Sequence, residues 1–156
     1  MDLRTPVVVC VHLALFVVGC RLVAIDARTH RLPNRLVLPT LAALLVLASL
    51  DALATGEIRA LVRALLGMLV LGVFYAALRS LGREGMGGGD VKLAAVIGLV
   101  LGWHGWPALA VGAASAFVLG ALYALALMAL RRADRTTRIA FGPWMIIGAV
   151  LGVVAT

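Results

Sequence analysis

Residues 85–93, GMGGGDVKL, place three consecutive glycines, an aspartate and the only lysine of the chain in one short stretch. An aspartate can exchange a proton with water or substrate, and glycines, lacking Cβ, let another backbone approach closely. One carboxylate alone does little hydrolysis. Two close together cannot both ionise cheaply, share one proton, and can then act as base toward water and acid toward a carbonyl oxygen. Asp26 is the acid best placed to meet Asp90 in this way. Asp2, Asp51 and Glu57 group with the opposite side of the chain, and Glu84 and Asp134 stand beside arginines, so these five are read as solvated. Ser-His-Asp chemistry is disfavoured, because His12, His30 and His104 have no nucleophile in a suitable position.

The elements that must hold these aspartates are set by composition. At 156 residues, 63% hydrophobic and 13% charged, the chain cannot be an ordinary soluble domain. Apolar runs near 6–25, 36–54, 60–81, 91–103, 106–130 and 139–155 approach bilayer length, which predicts an all-α polytopic membrane protein of about six transmembrane helices in a single domain over 1–156. The first run is too long for the core of a signal peptide and is read as retained. The fourth is short: about 13 residues cover about 20 Å of a core about 30 Å thick. Small residues at Gly98/Gly102, Gly112/Ala116/Gly120 and Gly148/Gly152 have the spacing of close helix contacts.

Charge then orients the bundle, because Lys and Arg accumulate in cytoplasmic loops. Arg21, Arg28, Arg31 and Arg35 flank the first connection. Arg79, Arg83 and Lys92 flank the third, and Arg131, Arg132, Arg135 and Arg138 the fifth; Arg4, Arg59 and Arg63 alone fall on the other side. Both termini are thus expected outside the cell's inner (plasma) membrane. The net charge of +7 is explained by topology and anionic lipid headgroups and needs no nucleic-acid partner. Trp103, His104 and Trp106 mark the outer interface, which puts Asp90 about 20 Å inward and below the cytoplasmic surface. Asp26 ends the first span near that same cytoplasmic boundary. Irregular backbone at membrane depth is tolerated only where it is buried in protein or lines a watery cavity, and hydrolysis needs such a cavity.

Cys10 and Cys20 lie nearly three helical turns apart in the first apolar run and cannot bridge each other, and no CxxC pair supports a zinc site. No metal and no cofactor are expected, although two carboxylates could in principle hold a hard cation. A small proton-coupled carrier or channel is the alternative, since it too would place two aspartates in a polar cavity. A presenilin-like protease shares Gly-x-Gly-Asp, but Asp26 follows Ile25 and lacks that group's tyrosine-aspartate partner motif. A catalytically inert assembly subunit is a further option, against which the presence of both aspartates speaks.

GMGGGDVKL followed by AAVIGLVLGW, with Asp26 seven residues ahead of Pro33-Asn34, resembles the type IV prepilin peptidases, as does Phe141-Gly142-Pro143 in IAFGPWMIIG. The resemblance covers roughly residues 18–148 and implies an aspartic endopeptidase with Asp26 and Asp90 as the catalytic pair. Gly87, Gly88, Gly89 and Lys92 would complete the Gly-x-Gly-Asp motif, and Pro33 and Asn34 would seat the loop that carries Asp26. It further implies type IV pilin-like precursors as substrates, cut near the cytoplasmic side between a short basic leader and an apolar helix, after a glycine. The cysteine-rich region that longer members associate with methylation is absent, so the likeness is to the compact, peptidase-only branch.

Overall fold

In lipid an apolar chain must satisfy its amides internally, and the α-helix does so within one segment. The computed structural model describes residues 4–29, 32–81, 87–131 and 140–156. They form α1 (Arg4–Thr29), α2 (Asn34–Thr55), α3 (Ile58–Leu81), α4 (Gly88–His104), α5 (Trp106–Ala129) and α6 (Gly142–Val154). Asp2, His30, Arg31, Arg83, Glu84, Arg132, Asp134, Arg135 and Arg138, which the reading of the sequence uses, lie outside the described residues.

Four helices, α1, α2, α3 and α5, are long and apolar enough to cross a membrane, and α6 is a shorter apolar helix of 13 residues. With α4 they make an all-α, multi-pass membrane protein. Gly56 at φ 75° ends α2, its amide bonding Ala52 O at 2.9 Å, and Gly105 at φ 141° makes the tight joint from α4 to α5. Both conformations suit only a residue without Cβ.

The short α4 sits at the centre and packs on α2, α3, α5 and α6. Leu93, Ala94, Leu99 and Leu101 are buried there, while Leu13, Phe16, Leu53, Val73 and Leu125 on the other helices are exposed to the surroundings. Lipid tails are as apolar as these side chains, so helices associate through close packing rather than escape from water. The closest pairing, α3 on α4, is made by glycine. A Cβ on Gly98 would collide with the Gly67 carbonyl, and one on Gly102 would lie 2.5 Å from Arg63 O and 3.0 Å from Ala64 Cα. On α6, a Cβ at Gly148 would lie 2.5 Å from Gly112 O of α5. The small-residue spacings thus mark real contacts, with Gly67 as a partner that spacing did not single out.

Three helix boundaries differ from hydropathy by three residues or more. α1 runs on to Thr29 rather than ending near 25, so Asp26 lies within the helix. α4 begins at Gly88 rather than near 91, so Gly88, Gly89 and Asp90 are its first turn and not irregular backbone. α6 begins at Gly142, just after Phe141.

Candidate active site

Asp26 lies one turn from the C-terminal end of α1 and is the one buried charged side chain among the described residues, 3% exposed. Its Oδ2 accepts the Gly142 N–H at 3.0 Å. That amide is the first of α6, so the carboxylate caps a helix N-terminus, where unpaired amides and the helix dipole favour negative charge. A Cβ at 142 would sit 2.5 Å from Asp26 Oδ2, so any larger residue there displaces the carboxylate.

Asp90 has a parallel arrangement in the first turn of α4. Its Oδ2 accepts the Gly87 N–H at 3.0 Å, and its own N–H donates to Gly87 O at 3.2 Å. Each carboxylate is therefore aimed by one backbone amide at a helix start. The two carboxylates lie at the same end of the bundle, within electrostatic range of each other.

The motif residues hold this corner together. Gly87 is the extended N-cap of α4, φ −73° and ψ 151°. Gly89 abuts the link between α1 and α2: a Cβ there would lie 2.6 Å from Leu32 Cβ and 3.2 Å from Leu32 N. Gly88 is covered by the Arg79 guanidinium of α3. The close approach that the glycines permit is thus, at 88 and 89, to the chain itself. Pro33 is the N-cap of α2, with its carbonyl accepting the Leu36 and Val37 amides at 3.0 and 3.2 Å. Asn34 Oδ1 accepts a hydrogen bond from Lys92 Nζ at 2.8 Å, which ties α2 to α4 two residues beyond Asp90. The partner of Asn34 is 58 residues away in the sequence.

Tyr75 of α3 is the site residue that sequence reasoning missed. It is 2% exposed, lies within electrostatic range of Asp90, and its ring packs at 5.6 Å from Phe117 and 6.1 Å from Phe141, the residue before Gly142. A lone tyrosine on α3, one turn before Arg79, was the available signal.

At the opposite end, His12 Nε2 of α1 and His104 Nε2 of α4 are 3.1 Å apart, and His12 Nδ1 bonds Val8 O at 2.8 Å. Asp51 lines a cavity with His12 and His104 and is half-buried there; Glu57 is exposed. Arg63 Nη2 donates to Trp103 O at 3.4 Å. Among the described residues no group of three or more His, Cys, Asp or Glu is arranged to hold a metal ion.

A helical membrane bundle that brings two aspartates from different helices together at one end, each on a helix-start amide, defines a polytopic membrane protein with a paired-carboxylate centre. The chain belongs to the type IV leader peptidase family, whose model matches residues 13–125. It is similar to the prepilin leader peptidase/N-methyltransferase of Dickeya chrysanthemi, 37% identical over 143 residues, which are 91% of this chain and 49% of that protein. The Pectobacterium carotovorum subsp. carotovorum protein of that name is 37% identical over 134 residues, 85% of this chain and 47% of the relative. That of Escherichia coli (strain K12) is 35% identical over 148 residues, 94% and 64% respectively. The chain spans about half the length of the first two. No solved structure matches it.

Proposed function

We propose that this chain is a membrane-embedded aspartic endopeptidase, acting as one unit over 1–156, that removes the short basic leader from type IV pilin-like precursors at the cytoplasmic face of the inner membrane. The observation that carries the proposal is the juxtaposition of Asp26 and Asp90, each oriented by a backbone amide, in a bundle of the leader peptidase family.

The two carboxylates share one proton. The ionised member removes a proton from water as the water oxygen attacks the scissile carbonyl carbon, and the protonated member donates to the carbonyl oxygen. When the tetrahedral intermediate collapses, the C–N bond breaks and the leaving nitrogen takes up a proton. The pair titrates as a unit, so acid and base belong to the dyad and not to one residue. Depth selects the bond: the precursor's apolar helix lies in the bilayer, its basic leader stays in the cytoplasm, and the junction reaches the carboxylates. A glycine before the bond suits the confined approach to the start of α4.

Co-expression with pilin-like precursors, followed by mass determination of the product's amino terminus, tests the reading. A product beginning just after the leader is expected, with no cleavage when leucine replaces the preceding glycine. Unprocessed precursor in every case would refute it.

A further inference from the structure

Helix α1 is fastened at two places along its length. Near the site, Gly19 lies against Ile146 of α6 and Asp26 accepts the Gly142 amide. Farther out, His12 meets His104 of α4. These ties lean α1 on α6 and α4, and α6 is its main packing partner. Between α1 and α2 they leave a groove of about 470 Å³, open on one side.

Cys10, Ala14 and Val18 form one wall of the groove and Thr40, Ala43 and Leu47 the other. The Thr40 hydroxyl donates to Leu36 O at 2.7 Å, so its polar atom is satisfied within α2 and the groove is apolar throughout. Both walls lead to the site. Val18 is eight residues, about 12 Å, from Asp26 on the same helix. The link into α2 abuts Gly89 at Leu32, and Asn34 at the start of α2 bonds Lys92, beside Asp90.

We propose that the groove between α1 and α2 receives the apolar helix of the precursor, antiparallel to α1, with its leader end delivered to Asp26 and Asp90. This rests on the peptidase reading. The small side chains Cys10, Ala14, Thr40 and Ala43 allow the backbone of a helix to come close, which is how helices associate in lipid. A second copy related by a two-fold axis would set groove against groove, and two concave surfaces do not fill each other. An acyl chain fits the volume at rest, but nothing in it fixes an end at the carboxylates.

The arrangement sets a register. Cys10 lies 16 residues before Asp26, about 24 Å along α1. The precursor residue about 16 positions after the cut, in a helical substrate, therefore lies level with Cys10. Cys20 is exposed, does not line the groove, and points about 80° away around α1.

The test is disulfide cross-linking in membranes. Precursors with single cysteines along the apolar helix are bound to the Asp90→Asn chain and oxidised, while the chain with both aspartates is assayed in parallel for cleavage. Cross-links through Cys10 are expected, strongest near that register, kept in Cys20→Ser and lost in Cys10→Ser. Ala43→Leu, which fills the groove from an exposed position, is expected to slow cleavage about tenfold at unchanged abundance. Val17→Leu, exposed outside the groove, is expected to stay within about twofold. Cleavage without a Cys10 cross-link at any position, cross-links through Cys20 instead, a Cys10 to Cys10 link between two copies, or full activity of Ala43→Leu would overturn the groove and leave the peptidase reading standing. Failure to cleave any precursor would overturn both.

Discussion

Gly142 N–H and Asp26 Oδ2 meet at 3.0 Å across 116 residues of chain, so the first amide of the last helix orients the carboxylate of the first. The position of this acid is therefore a property of two helices packed together, and substitutions can separate its chemistry from its structural role.

Asp26→Asn keeps an oxygen that can accept the Gly142 amide, whereas Asp26→Ala leaves that buried donor without its partner, at a cost of about 1–3 kcal/mol. Both variants are expected to abolish cleavage. Only the alanine variant should also lower membrane abundance, measured by immunoblot. Asp90→Asn should behave like Asp26→Asn, and substantial processing by either asparagine variant would rule out the dyad.

At Gly142 an added Cβ would meet the far end of the Asp26 side chain, not fixed backbone. Gly142→Ala is thus expected to fold and to displace the carboxylate. A fall in kcat of about tenfold or more, with abundance retained, would fit the loss of one oriented group. Unchanged kcat would mean that the amide does not aim Asp26.

The three motif and packing glycines should rank by what their Cβ would touch. At Gly88 it would meet the mobile end of Arg79, at Gly89 the Leu32 backbone and Cβ, and at Gly102 the backbone of Arg63 and Ala64. Gly88→Ala should be tolerated. Gly89→Ala should impair cleavage by shifting the start of α4. Gly102→Ala should cost about 1–3 kcal/mol through overpacking. Thermal stability in detergent and cleavage, measured together, check the order.

Lys92 and Asn34 form one hydrogen bond at 2.8 Å between α2 and α4. Lys92→Met and Asn34→Ala are each expected to reduce cleavage. The double variant should be little worse than either single one, with a coupling of about 1 kcal/mol in a double-mutant cycle. Additive losses would show that the two residues act independently.

The sequence by itself determined a great deal at the level of depth. The length of the apolar runs, the arginine-rich connections and the Trp103–Trp106 cluster predict a helical membrane bundle, and they put Asp26 and Asp90 at one end with His104 at the other. The structure has the same grouping. The small-residue spacings on α4, α5 and α6 were legible too, because close helix packing leaves few alternatives to Gly and Ala. Rotation about each helix axis was not legible. A helix that is apolar all round has no periodic signal for its buried face, and lipid outside is as apolar as protein inside. Tertiary structure alone therefore decided that Tyr75 is buried at the same end as Asp90, that Gly67 faces Gly98, that Asn34 bonds Lys92 and that Gly142 carries Asp26. Each of these contacts joins two different helices, and each depends on which way a helix is turned once its backbone packs against a neighbour.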